Sequence, residues 1–358
     1  MTNGTAVARD SFTRLKADEA IEFYPTLGQR VAGKDAWRLE IHGCVFEPEK
    51  RGLTLAALRE ALDLKDIELT LAEQKIFDER AQLFLVDHER GKRGFIRLGE
   101  RILATGKSKA DGHFAGEFLL SENEVRRLQG PAEGGNGFIQ FTAELSAGDA
   151  RRFAGEVLLL NDSGLSVISD IDDTIKVTRV RDRSAMLRNT FLRPFEATPG
   201  MSELYQGLAR SNRAAFHYVS ASPWQLYAPL AEFVRASGFP AGTFALKKFR
   251  LKDRSFLSLF ADPEKYKPAV IEPLLKTFPQ RRFVLIGDSG ERDPEVYAAL
   301  ARKYPEQIIR IWIRDVTNEP ATAGRYQAVF RGLPGELWQV FKSPRELSAF
   351  SDPLMGNP

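Results

Sequence analysis

Four short apolar runs from Ser166 onward, Ser166–Asp170, Ala215–Ser220, Arg282–Asp288 and Ile308–Arg314, alternate with helix-patterned stretches. Those stretches cover roughly Met201–Ser211, Gln225–Ala236, Pro268–Thr277 and Asp293–Lys303. This alternation constrains the fold more than composition does, because each helix returns the chain so that the next strand runs parallel to the last. An open parallel sheet places its ligand crevice outside the carboxyl ends of its strands. Residues at those ends are therefore the first place to look for chemistry.

The first run closes in Asp170-Ile-Asp172-Asp-Thr174, two carboxylates one residue apart and then a hydroxyl. Where a strand unwinds into a loop, Asp170 and Asp172 can point into one crevice while the backbone between them stays free to ligate a metal. The second run closes in Ser220-Ala-Ser222-Pro223. Ser220 suits a hydrogen bond to a phosphoryl oxygen, and Ser222 suits a helix N-cap with proline at the first helical position. Lys267 enters a helix as a point charge able to pair with a nucleophile and a bound anion. The third run closes in Gly287-Asp288, with Asp293 just before a helix. This is an oxygen-donor arrangement suited to Mg²⁺, which prefers a few carboxylates plus water and substrate oxygens. A carboxylate nucleophile and a phosphate repel each other in a dry site, so a divalent cation and positive donors are needed beside them. Each feature also has a plainer reading: a solvated Asp turn, a helix cap, a surface lysine, a Gly turn. Their succession in one order favours the chemical reading.

Asp170-x-Asp172-x-Thr174, Ser220, Lys267 and Gly287-Asp288-x-x-x-x-Asp293 resemble the four motifs of the haloacid dehalogenase (HAD) superfamily. The strings Ser169–Thr178, Tyr218–Tyr227 and Ile286–Tyr297 resemble, more narrowly, the fungal actin-patch phosphatidate phosphatases, whose catalytic domain is related to that of the lipins. The resemblance covers about residues 160–345. It implies a Rossmann-like domain with a parallel sheet, and Asp170 as nucleophile forming an aspartyl-phosphate. Asp172 is implied as the acid that protonates the leaving alcohol and the base that then activates water. Mg²⁺ would be held by Asp170, the Asp172 carbonyl and Asp288, with Asp293 an outer partner. Ser220 and Lys267 would grip phosphoryl oxygens, and Thr174 would support the loop.

Upstream, Trp37–Phe46, Gly94–Leu98, Phe114–Leu120, Phe138–Leu145 and Phe153–Leu159 read as strands, interrupted by helical spacing over about Leu53–Val86. The expectation is a β-sandwich-like module with a helical insertion over 1–160, an α/β catalytic domain with a minimal cap over 161–350, and a tail over 351–358. His42, His88 and His113 read as scattered, with no catalytic constellation among them. The single cysteine, Cys44, excludes an internal disulfide and a Cys-rich metal site, and a net charge of +3 is too slight to argue for nucleic acid. The chain start lacks a signal-peptide pattern and no apolar stretch reaches spanning length, so a soluble cytoplasmic protein is expected, with peripheral membrane contact open.

Between Ile175 and about Thr198 there is room only for a short insert, and an open site suits a bulky substrate presented from a surface, such as phosphatidate. The runs Met186–Phe195 and Phe244–Phe256 mix apolar and basic residues. Two explanations stand: contact with anionic lipid, or apolar residues packed inward with snorkelling cations. Two other functions also stand: a phosphatase of a soluble phosphomonoester or phosphoprotein by the same mechanism, and a lipid-binding or scaffold module without turnover.

Overall fold

A computed structural model describes residues 12–48, 54–130, 136–248 and 263–350. The tail over 351–358, the first eleven residues and the part of the Phe244–Phe256 run beyond 248 lie outside the described residues. The chain divides into two compact units, one drawn from 1–52 and 85–161, the other from 53–84 and 162–358.

The first unit is one mixed sheet of nine strands: β1 (Ala20–Tyr24), β2 (Thr26–Arg30), β3 (Ala36–Glu47), β4 (Asp87–His88), β5 (Arg93–Leu98), β6 (Arg101–Lys107), β7 (His113–Ser121), β8 (Phe138–Ala143) and β9 (Ala154–Leu160). The expected two packed sheets are therefore replaced by a single curled one. The long strand β3 explains the difference. One of its edges pairs with β2 and then β1, the other with β7 and then β4, so neighbours on both sides change along its length. Trp37, Leu39 and Ile41 alternate with exposed Arg38 and Glu40, and they meet Phe23, Ile96, Phe114, Phe141 and Val157 from other strands in one core. Tight curvature shows at Gly155, where a Cβ would lie 2.3 Å from the Phe141 ring. The histidines are less scattered than their spacing suggests. The β3–β7 register sets Cys44 opposite His113 and His42 opposite Ala115, and His42 Nε2 lies 2.9 Å from His113 Nδ1.

Three helices fall within the sequence of these strands: α1 (Leu55–Ala61), α2 (Leu71–Gln82) and α3 (Glu122–Leu128). Thr70 starts α2 with a capping box, its hydroxyl accepting from Glu73 N–H while the Glu73 carboxylate accepts from Thr70 N–H. The segment bearing α1 and α2 groups with the second unit.

The second unit is built on six parallel strands: β10 (Gly164–Asp170), β11 (Ala215–Pro223), β12 (Gly242–Lys247), β13 (Arg281–Asp288), β14 (Ile308–Arg314) and β15 (Trp338–Phe341). They lie in the order β12-β11-β10-β13-β14-β15. Around them run α4 (Arg183–Phe191), α5 (Met201–Asn212), α6 (Tyr227–Ala236), α7 (Pro263–Thr277), α8 (Asp293–Lys303) and α9 (Gly324–Val329). Every residue of β11 is buried, as are Val167, Ile168, Val284, Leu285 and Ile286, which is what coverage of a parallel sheet on both faces requires. The chain moves outward from β10 to one edge, then returns to β13 and continues to the other. The carboxyl ends of β10 and β13 thus flank a switch point, where open α/β sheets bind ligands. The four expected strands and four expected helices are present within a few residues of their expected bounds, and the edge strands β12 and β15 are additional to them.

Met186, Leu187, Phe191 and Leu192 are buried. In the first of the two mixed runs the apolar side chains therefore pack inward, which removes that run as an apolar membrane-facing surface. No helix among the described residues is long and apolar enough to cross a membrane.

Candidate active site

The loop that follows β10 closes tightly on itself. Ile175 and Lys176 N–H both donate to Ile171 O at 3.0 Å, and Asp173 takes a left-handed backbone with φ of 58°. The Asp173 carboxylate accepts backbone N–H groups from Thr178 (2.8 Å), Arg179 (2.7 Å) and Val180 (2.7 Å), pinning the outgoing chain. This anchoring leaves Asp170 and Asp172 in different surroundings, although one residue separates them.

Asp170 joins Asp288 and Asp293. One carboxylate oxygen from each lies within 4.8 Å of the others, and all three side chains are buried. Lys267 enters from α7, its Nζ 2.9 Å from Asp170 Oδ1 and 3.1 Å from Glu291 Oε2, and in contact with Asp293 Oδ1. Asp288 Oδ1 accepts from Gly290 N–H at 2.6 Å, and Asp293 Oδ2 accepts from Asp288 N–H at 3.2 Å. The Oδ2 atoms of Asp170 and Asp288 are buried without a hydrogen-bond partner. Three carboxylates thus contact one ammonium, and Asp288 completes the acidic cluster beside them. Burial raises the Asp170 pKa well above the carboxylate range; Lys267 offsets part of this, and Asp293, Glu291 and Asp288 add to it. Burial, then Asp293 and Glu291, do the same to Asp288. Burial opposes the charge on Lys267, but Asp170, Asp293 and Glu291 outweigh it and drive its pKa up. The excess of negative charge, the oxygen-only donors and the two bare buried oxygens all fit a hard divalent cation. In the first unit Glu19, Glu47 and Glu89 also cluster, with two lysines among them: Lys16 lies 2.5 Å from Glu47 and Lys92 lies 2.6 Å from Glu19.

Asp172 lies outside this cluster and is fully satisfied. Its Oδ1 faces Lys176 Nζ at 2.8 Å and accepts from Thr178 Oγ1 at 2.8 Å. Its Oδ2 accepts from Ser220 Oγ at 2.7 Å and Ser222 Oγ at 3.0 Å. Burial pushes its pKa up, but Lys176 and these hydroxyls overcome that and hold it at about 2. Two neighbouring carboxyls are therefore driven in opposite directions by their surroundings. Thr174 is buried with its hydroxyl unpartnered.

Asp170, Asp288, Asp293 and Lys267 are thus brought together, while Asp172 and Ser220 pair with each other beside them. The N-cap reading of Ser222 is corrected: β11 continues through Pro223, a short 3₁₀ turn follows over Trp224–Leu226, and the Ser222 hydroxyl is spent on Asp172. Lys176, Thr178 and Glu291 join the site in addition to the residues expected from the sequence. All three lie inside motif strings quoted from the sequence, but loop spacing carries no orientation signal of the kind helix and strand periods provide.

Gly287 shows why the strand must end in Gly-Asp. A Cβ there would lie 2.2 Å from Asp293 Oδ2. Gly287→Ala is expected to displace Asp293 and so loosen both Lys267 and the Asp288 backbone, with loss of about 2 kcal/mol or more of stability, as for other overpacked cores. Denaturant unfolding checks this; an unchanged midpoint would contradict the close approach.

A carboxylate cluster and its lysine at the switch point of a parallel sheet define a class of site whose donors suit a hard cation. The sequence comparisons narrow that class. Residues 165–315 match the family described as “Phosphatidate phosphatase APP1, catalytic domain”. The protein “Phosphatidate phosphatase APP1” of Saccharomyces cerevisiae is 38% identical over 158 residues, covering 43% of this chain and 26% of that protein. An uncharacterised protein of Schizosaccharomyces pombe is 34% identical over 174 residues, covering 47% of this chain and 28% of that protein. The chain thus matches only about a quarter of the length of these relatives.

Proposed function

We propose that the protein is a Mg²⁺-dependent phosphomonoester hydrolase of the HAD type, with a Rossmann-like catalytic domain and a minimal cap, and that phosphatidate is its substrate. The observation that carries the reading is the Asp170–Asp288–Asp293 cluster, with two bare buried oxygens and one lysine, inside the segment that matches the APP1 catalytic domain. Asp170, Asp288 and the backbone at Asp172 would hold the cation, with Asp293 supporting them. When bound, the cation supplies charge neutralisation for the phosphoryl oxygens.

In the first half-reaction an Asp170 carboxylate oxygen attacks phosphorus, the bond from phosphorus to the alcohol oxygen breaks, and that oxygen takes a proton from Asp172. In the second half-reaction Asp172 accepts a proton from water as the water oxygen attacks phosphorus. The acyl-phosphate bond breaks, and inorganic phosphate leaves with Asp170 restored. Asp172 rests as a carboxylate held by four donors, so it must gain a proton before the first transfer. The substrate is a source, because a phosphomonoester with a second pKa near 6 carries part of its population protonated. Withdrawal of Ser220 to a phosphoryl oxygen would remove one donor from Asp172 and raise its affinity for that proton. Lys267 holds Asp170 in place and offsets the charge of the arriving phosphate.

Phosphate release from phosphatidate in detergent mixed micelles, compared with glycerol phosphate and p-nitrophenyl phosphate, tests the proposal. The expected result is release that needs Mg²⁺ and favours phosphatidate by about tenfold or more in kcat/KM, equivalent to roughly 1.4 kcal/mol. Equal rates on soluble esters would remove the lipid assignment. No release from any ester with Mg²⁺ present would remove the hydrolase assignment and leave a binding module.

A further inference from the structure

The helices α1 and α2 lie outside the segment that matches the APP1 catalytic domain, yet they group with the catalytic unit. One side chain of α2 reaches furthest. Arg80 is buried; its Nη1 donates to Thr190 O at 2.6 Å and to Arg193 O at 2.8 Å, closing the turn that follows α4. Its guanidinium carbon lies 3.7 Å from the centre of the Phe195 ring. Lys176 Nζ lies 4.8 Å from the same centre, and this ammonium also stands 2.8 Å from Asp172. Two cations thus share one aromatic ring, each attracted by its negative face. One of them is a buried arginine to which the hydrolytic scheme gives no part.

We propose that Arg80 is a positioning residue for Asp172: it fixes the 190–195 turn and its Phe195 ring, the ring fixes the Lys176 ammonium, and Lys176 fixes the carboxylate. The inference rests on the phosphomonoesterase reading above. It also makes the α1–α2 segment a working part of the catalytic unit, although that segment lies far upstream in the sequence. Lys176 is itself buried, with Asp172 and Thr178 Oγ1 as polar partners of its ammonium. If Phe195 moves, the Lys176–Asp172 contact must re-form with a different geometry, and misplacement near 1 Å is costly to a proton transfer.

The test uses the full chain with Arg80→Met, Arg80→Lys, Phe195→Leu, Lys176→Met and the Arg80→Met/Lys176→Met double variant. Three quantities are measured: melting temperature, kcat and KM on phosphatidate micelles, and the ¹H–¹³C resonances of the Lys176 ε-methylene in lysine-labelled protein. In the wild type those resonances are expected to be shifted upfield by the Phe195 ring. Arg80→Met and Phe195→Leu should lose the shift and lower kcat about tenfold or more with KM altered less than about threefold. Arg80→Lys keeps a cation over the ring and should retain most of both. The double variant should be within about twofold of Lys176→Met alone, since the arginine acts through the lysine.

An Arg80→Met protein that keeps the shift and its kcat overturns the proposal, as does a double variant whose losses multiply. If Arg80→Met does not fold, Phe195→Leu and Arg80→Lys carry the same comparison. Should the wild type hydrolyse no ester, the phosphatase reading fails on its own, and the Lys176 resonances still decide whether Arg80 sets that side chain's position.

Discussion

Asp170→Asn is expected to lower phosphate release by about four to six orders of magnitude on every ester the wild type hydrolyses, the scale seen when a nucleophile is removed from a catalytic set. An amide has the shape of the carboxylate but no anionic oxygen to attack phosphorus. The fold should persist, because Lys267 keeps Asp293 and Glu291 as partners when Asp170 loses its charge. This separates the variant from a substitution of Lys267 itself, which would leave several buried carboxylates without their ammonium. The readout is single-turnover phosphate release with Mg²⁺ in excess, alongside the melting temperature. A residual rate within tenfold of wild type, in folded protein, would remove Asp170 as nucleophile and the covalent scheme with it.

The second large effect concerns the cation. Asp288→Asn is expected to stabilise the metal-free protein at neutral pH by on the order of 2 kcal/mol, while abolishing its response to Mg²⁺. The folded protein raises the Asp170 and Asp288 pKa values above their unfolded ones. A carboxyl shifted this way contributes stability below its unfolded pKa and loses that contribution as pH rises through the folded value. The metal-free wild type is therefore penalised near neutrality, and the amide is not.

The advantage of Asp288→Asn over wild type should shrink as pH falls and Asp288 takes up its proton. Taking this difference between the two proteins matters, because other groups move the total the other way. Asp172, held at about 2, contributes above its unfolded pKa and loses that contribution as pH falls through the folded one. His217, buried and driven down to about 3 by burial and then by Arg281, destabilises the fold as pH drops below the usual histidine value. Mg²⁺ at a hundred times its dissociation constant should stabilise the wild type by about 2.7 kcal/mol, a melting shift of several degrees. Thermal scans at several pH values, with and without Mg²⁺, check both parts. A metal-free Asp288→Asn protein less stable than wild type, with its Mg²⁺ shift intact, would move the cation elsewhere.

The motif strings carried the likeness to the APP1 catalytic domain over residues 165–315, and the strand ends carried the residues that meet there. Asp170 and Asp288 could be read because each terminates an apolar run, and a strand's exit point is a local property. Asp293 could be read because it opens a helix, and Lys267 because it stands just before the helix-patterned stretch from Pro268, although α7 already begins at Pro263. The curled sheet was harder to see. Period-two alternation identifies a strand such as β3 but says nothing about how many neighbours share each of its edges, so one sheet and two packed sheets look alike.

The chain's letters alone determined which segments become parallel strands and which acids stand at their carboxyl ends, because strand periodicity and side-chain chemistry are local. Tertiary structure alone decided that Asp172 is encircled by Lys176, Thr178, Ser220 and Ser222 while Asp170 faces Lys267. It also decided that Glu291 joins the acidic cluster, that His42 meets His113, and that a helix from residues 71–82 lays Arg80 over Phe195. Each of these pairings depends on register, on the left-handed turn at Asp173 or on packing between distant segments. Those are set by the free energy of the whole fold, and no window of sequence contains them.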